Sequence, residues 1–288
     1  MRLALGTVQF GLNYGVANQS GQVTRSTAKA MLDLAAASGI DTLDTAIAYG
    51  DSEVCLGEAG IEGFKVVTKL PAVPEHCDDV AGWVHEQIAA SLGRLGVASL
   101  YGVLLHCPAQ LLSRNGRMLF RVLQSLKDNG QAQKIGISIY APRELEELVP
   151  LYRFDLVQAP FSIVDRRLQT TGWLQRLSHE GVEVHTRSVF LQGLLLMPES
   201  ARPEKFSPWS ALWHRWQEWL AEHRISAVQA CLAFPLSFAE VHRVVVGADG
   251  LGHLQQIIEA ATGVFPVSLP DVGCEAEALI NPALWGNS

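Results

Sequence analysis

The stretch Gly39-Ile40-Asp41-Thr42-Leu43-Asp44-Thr45-Ala46-Ile47-Ala48-Tyr49-Gly50-Asp51-Ser52-Glu53 decides how the chain is read. Its core, Thr42 to Thr45, is a short run with the make-up of a strand. Before it lies a helical pattern over Thr27 to Ala37, with Ala30, Met31, Leu34 and Ala37 on one face, and Ser38-Gly39 stops that helix. Working outward, the same alternation recurs. Leu3 to Leu5, Lys65 to Thr68, Tyr101 to Leu105, Lys134 to Ile139, Leu156 to Gln158, Glu183 to Ser188 and Arg243 to Val246 are further strand candidates, with helical stretches such as Ala81 to Leu95 between them. Asn129-Gly130 ends one helix, and Pro142 stands where another takes its first turn. Eight such units in about 250 residues predict an α/β chain folded as a single-domain (β/α)8 TIM barrel, with chemistry on the loops after the strands. The barrel is expected over residues 1–288, of which 265–288 form an unassigned tail. A doubly wound open sheet is the alternative, but Gly6-Thr7-Val8-Gln9-Phe10-Gly11 after the first strand lacks the G-x-G-x-x-G fingerprint of that fold.

Composition narrows the function. With 288 residues, 18% charged and 48% hydrophobic, the chain is an ordinary globular one. Its 22 Lys and Arg against 29 Asp and Glu give a net charge of −7, and no basic stripe is present to neutralise phosphates, so nucleic acid is not expected as a partner. Five scattered cysteines (Cys55, Cys77, Cys107, Cys231, Cys274) without a C-x-x-C pair fit a reducing compartment and neither a disulfide framework nor a zinc site. The chain is therefore read as cytoplasmic. No signal-peptide core opens it, and no window approaches a membrane span.

In a barrel, polar residues at strand ends converge. Asp44 and Tyr49 follow the second strand candidate, Lys69 the third and His106 the fourth. Singly, each has a plain structural reading; together they make an acid. A phenol with a pKa of about 10 donates poorly at neutral pH, and a neighbouring ammonium would bring it down. Tyr49 is expected to be the acid, Lys69 its tuner, Asp44 the counter-charge to Lys69, and neutral His106 a donor to a substrate carbonyl oxygen. No trio of metal ligands stands on the strand ends, so no metal is expected. Cys107 is read as packing.

These residues, with Gly39 to Glu53, Thr68-Lys69 and Leu105-His106, resemble the aldo-keto reductase family. Gly6-Thr7, Gly136-Ile137-Ser138, Val157-Gln158 and Arg187 to Leu195 extend the resemblance over nearly the whole chain. It implies reduction of an aldehyde or ketone by hydride from NADPH or NADH, with Asp44, Tyr49, Lys69 and His106 as a catalytic tetrad. It also implies cofactor contacts at Gly6, Thr7, Ser138, Gln158, Arg187, Ser188, Phe190, Gly193, Gly247 and Asp249. Ser138 and Gln158 match the carboxamide positions, and Ser188, Phe190 and Gly193 the loop over the pyrophosphate. There are three departures: Ile139 where the family has Asn, Arg187 where many members stack an aromatic ring on the nicotinamide, and Asp249 near the place of the usual cation for the 2′-phosphate. A carboxylate there favours NADH, unless Arg187, Arg202 or Lys205 binds the phosphate instead. The alternative function is a non-catalytic, nicotinamide-nucleotide-sensing barrel.

Trp209, Trp213, Trp216 and Trp219 form a stripe that predicts core packing or, more sharply, a homo-oligomer contact. His214, Glu218 and Glu222 read as a solvated face. Arg166 and Arg167 read as surface or as a grip for an acidic substrate group.

Overall fold

The computed structural model describes residues 1–262 and 270–285. Eight parallel strands close a barrel in chain order: β1 (Leu3–Gly6), β2 (Thr42–Asp44), β3 (Lys65–Leu70), β4 (Leu100–Leu105), β5 (Ala132–Ser138), β6 (Leu156–Pro160), β7 (Glu183–Arg187) and β8 (Arg243–Gly247). All eight expected strands form, each within two residues of its predicted ends. Strands covered on both faces read as apolar runs rather than alternations, and Leu3, Ala4 and Leu5 are all fully buried. Closure is made by β1 on β8, in the register Leu3↔Val244 to Gly6↔Gly247. Arg2 clamps that seam, donating to the carbonyls of Phe238 (2.7 Å), Val241 (3.1 Å) and Leu236.

Helices α1 (Arg25–Ala37), α2 (Ser52–Ala59), α3 (Val80–Leu95) and α4 (Gly116–Asp128) cover the first half. Their ends are punctuated chemically: Thr24 Oγ1 accepts from the Thr27 amide at the start of α1, and Gly96 takes the left-handed conformation, φ +67°, that ends α3. The apolar face of α3, Val84, Ile88 and Leu95, is buried against the sheet as its spacing predicts.

Of the expected tail, residues 265–269 and 286–288 lie outside the described residues, and 270–285 are docked on the barrel. Val272, Leu279 and Ile280 are buried, the Cys274 amide donates to the Val164 carbonyl (2.8 Å), and Glu277 pairs with Arg143 and Arg167. Arg166 and Arg167 are thereby committed to structure: Arg167 also pairs with Asp165 (2.8 Å), and Arg166 donates to the carbonyls of Ile163 and Pro270.

The tryptophans bear out the core reading. Trp213 and Trp216 are buried in α5 (Ser210–His223), and Trp219 stacks on Trp216 at 5.9 Å. Trp209 precedes α5 in a 3-10 turn that contains Pro208, so no surface of four indoles is presented. His214 and Glu218 form an exposed pair (3.1 Å). Cys107 is exposed, against the expectation of packing, because it follows the strand end outward. Among the described residues no helix is long and apolar enough to cross a membrane, and no cluster of His, Cys, Asp or Glu could hold a metal ion.

Candidate active site

The signature stretch builds the site from its frame upward. Ser52 and Glu53, at the start of α2, tie three strands together. Ser52 Oγ donates to the Thr7 carbonyl (2.8 Å) and lies 3.1 Å from Thr45 Oγ1. Buried Glu53 accepts from Thr68 (2.7 Å), from Ser91 (2.7 Å) and from both Nε and Nη2 of Arg94. Tyr49 sits in the turn between β2 and α2, pressed on the one-turn helix Val8–Gly11 so closely that a Cβ at Gly11 would lie 1.8 Å from the Tyr49 carbonyl oxygen. Only glycine allows that approach.

On this frame Asp44, Lys69, Tyr49 and His106 converge as predicted. Lys69 Nζ, almost wholly buried, donates to Asp44 Oδ1 (2.7 Å) and to the Thr45 carbonyl (3.0 Å) and lies 5.2 Å from the centre of the Tyr49 ring. The rings of Tyr49 and His106 meet edge to face at 5.9 Å. Burial pushes the Lys69 ammonium below its ordinary value, an effect the Asp44 charge opposes. His106 is pushed down to about 4 by burial and then by the charges of Lys69 and Arg187, so it is neutral at neutral pH.

Tyr49 departs from expectation. Burial first, then the Asp44 carboxylate, push its phenol up, and the positive charge that opposes them is that of Arg187. Lys69 Nζ, though close to the ring, is hydrogen-bonded to Asp44, so the phenol feels the carboxylate of the pair as well as its ammonium. Gln158 also differs from the simple carboxamide role. Its Nε2 donates to Asp44 Oδ2 (2.6 Å) and its Oε1 accepts from Ser138 (3.2 Å), so the amide first braces the ion pair.

All the site residues expected from the sequence line one cavity of about 580 Å³. It runs from the tetrad, past Gly6 and Thr7, to Gly247 and Asp249 after β8. Ser188, Phe190 and Gly193 come from the loop after β7, where Ser188, Leu191 and Gln192 hold positive φ values of 62°, 50° and 53°. That loop meets the one after β1: Gln192 Nε2 donates to Tyr14 Oη (3.0 Å), and a Cβ at Gly193 would lie 2.5 Å from that of Ala17. The sequence reading missed Tyr14, Tyr140 and Gln9, which also line the cavity. Tyr140 could have been found by the strand-end rule, since it stands two residues beyond β5.

An elongated dinucleotide fits this lining. Gln9 Oε1 is buried there without a partner, while its Nε2 donates to Asp249 Oδ1 (3.4 Å). The helix that follows, α6 (Leu251–Ala261), starts with no side chain capping its amides. Among the described residues the Lys and Arg side chains lining the cavity are Lys69 and Arg187, both at the tetrad end; Arg202 and Lys205 turn elsewhere, Arg202 donating to the Met197 carbonyl (2.8 Å) and Lys205 to that of Trp285 (3.3 Å).

Comparison with known proteins agrees with this architecture. The solved structure of an aldo-keto reductase from Bacillus halodurans, in its holo form, superposes with a TM-score of 0.73 at 21% identity, covering 93% of this chain and 88% of that one. A Pseudomonas aeruginosa structure described as of the same family gives 0.67 at 21% identity, covering 90% and 89%. In sequence, the NADH-specific methylglyoxal reductase of Escherichia coli (strain K12) is 26% identical over 258 residues, 77% of this chain and 78% of its own. The model of the aldo/keto reductase family matches residues 2–268. The chain belongs to the aldo/keto reductase family, whose members are nicotinamide-dependent oxidoreductases acting on small carbonyl compounds.

Proposed function

We propose that the protein reduces a small aldehyde or ketone to the alcohol with NADH as its preferred cofactor. The observation that carries this reading is the buried Asp44–Lys69 pair beneath Tyr49 and neutral His106 at the floor of the cavity. His106 donates to the carbonyl oxygen and orients it. Tyr49, held protonated by its surroundings, delivers its proton to the same oxygen as negative charge develops there. The fixed charge of Lys69 steadies the phenolate left behind, and Asp44, braced by Gln158, keeps Lys69 charged. The cofactor, when bound, supplies the hydride to the carbonyl carbon.

Ser138, Gln158 and Arg187 would hold the nicotinamide end, Ser188, Phe190 and Gly193 the pyrophosphate, and Gly247 and Asp249 the adenosine ribose, with Gly6 and Thr7 beneath. Asp249 would accept from a 2′-hydroxyl and repel a 2′-phosphate, and no Lys or Arg lines that end of the cavity among the described residues. The NADH specificity of the Escherichia coli relative supports the same choice, and its substrate makes a 2-oxoaldehyde the first compound to try. The five cysteines, all unpaired, support work in a reducing compartment.

The test is the rate of methylglyoxal reduction with each dinucleotide, followed by loss of reduced-nicotinamide absorbance, beside their dissociation constants at fixed ionic strength. Turnover with NADH and tighter binding of NADH than NADPH are expected. A preference for NADPH of about tenfold or more that survives Asp249→Ala overturns the cofactor assignment.

A further inference from the structure

We propose that Arg187 makes this site hold the reduced nicotinamide in preference to the oxidised one. The inference rests on the functional reading above and concerns a property that reading does not require. Arg187 ends β7 and reaches into the cavity beside the tetrad, where neutral groups fix it. Its Nη2 donates to the Ile139 carbonyl (2.8 Å), its Nη1 to Ser188 Oγ (3.2 Å), and its guanidinium lies 4.6 Å from the centre of the Tyr140 ring.

The charge count at this end of the cavity comes out positive. Lys69 and Asp44 cancel at 2.7 Å, and His106 is neutral at neutral pH. Asp249, with His253 at 3.9 Å, belongs to the opposite end and is held by Gln9. No carboxylate stands within ion-pair distance of Arg187 among the described residues, so its unit charge is uncompensated. Its field reaches the reacting groups, since it acts on Tyr49, Lys69 and His106 alike.

Hydride transfer to a carbonyl whose oxygen touches Tyr49 and His106 requires the nicotinamide ring in this same region. That ring is neutral when reduced and carries one positive charge when oxidised. The guanidinium therefore repels one redox form and is indifferent to the other. Over several ångströms in a medium of protein-like dielectric, such a repulsion amounts to roughly tenfold to hundredfold in relative affinity. The site would draw in reduced cofactor and speed release of the spent form.

The experiment is fluorescence titration of wild type, Arg187→Met and Arg187→Lys with NADH and with NAD+ at one ionic strength. Wild type is expected to bind NADH at least about tenfold more tightly. Arg187→Met should shrink that ratio by about tenfold, mainly by tightening NAD+, and Arg187→Lys should keep it within roughly threefold. A wild-type ratio near one overturns the inference, and so does a ratio that Arg187→Met leaves unchanged. If Arg187→Met fails to fold, the wild-type ratio and that of Arg187→Lys still decide. Failure of wild type to bind either dinucleotide would instead overturn the functional reading, and this inference with it.

Discussion

At the end of the barrel where the strands begin, Glu183 accepts from Tyr101 Oη (2.7 Å), from His185 Nε2 (2.7 Å) and from Lys134. Nearby, Asp41 pairs with Lys65 (3.0 Å) and with Arg243 (3.0 Å). At the end where the strands finish, Asp44 and Lys69 make a pair of similar length, yet its surroundings act the other way. Around Glu183 and Asp41 burial raises the carboxyl pKa, but hydrogen bonds and cations outweigh it and hold both groups below their ordinary values. Around Lys69, Tyr49 and His106 burial prevails, pressing the ammonium and imidazole toward neutrality and the phenol away from ionisation. One end is arranged to stabilise charge, and the other holds charge against its surroundings. Stability and chemistry are thereby separated along the same strands.

The largest expected break in this contrast is Tyr49→Phe. It should lower carbonyl reduction by about 10²-fold to 10⁴-fold while leaving the NADH dissociation constant nearly unchanged. Near-normal turnover would remove Tyr49 from the chemistry. Next comes Asp44→Asn, which leaves Lys69 buried without its charge partner. A loss of about 3–5 kcal/mol in denaturant unfolding is expected, with activity falling alongside; full activity and unchanged melting would show the pair to be uncoupled. Lys69→Met should abolish activity and also cost stability, since it leaves the buried Asp44 carboxylate without its charge partner and braced by the Gln158 amide.

Glu183→Gln probes the opposite end. The folded-state pKa of Glu183 lies below its ordinary 4.5, so its contribution is complete above that pH and is lost as the pH falls below it. The variant should be about 3 kcal/mol less stable at neutral pH, converge on wild type in acid, and keep its turnover per folded molecule. The smallest effect belongs to His106→Gln. The folded-state pKa near 4 lies below the ordinary 6.5, so wild type loses stability as the pH falls from 6.5 to 4, where the unfolded chain takes up the proton first. Urea melts should find about 2 kcal/mol less of this loss in the variant. Equal slopes would mean that His106 is not held neutral.

How much of this was legible in the sequence depends on range. The strands announce themselves locally, and the tetrad follows because each member stands just past an apolar run. The bond from Gln158 to Asp44 and the stacking of Arg187 on Tyr140 depend instead on how β2, β5, β6 and β7 sit around the barrel, which no window of sequence carries. The rise in the Tyr49 pKa was missed for the same reason, since burial is a tertiary quantity. Trp209 fell out of its predicted helix stripe because Pro208 directs a tighter turn there.

The seam between β1 and β8 bears on how the molecule is made. A barrel that closes first strand to last leaves Leu3–Gly6 with one unpaired edge until Arg243–Gly247 has been synthesised, so most of the polypeptide leaves the ribosome before its opening strand is paired on both sides. The Arg2 clamp engages carbonyls between Leu236 and Val241, just upstream of that last strand, and so can form only at the same late moment. Nascent chains stalled before Arg243 should accordingly be held by chaperones or cut by proteases, while those stalled well beyond Gly247 escape both.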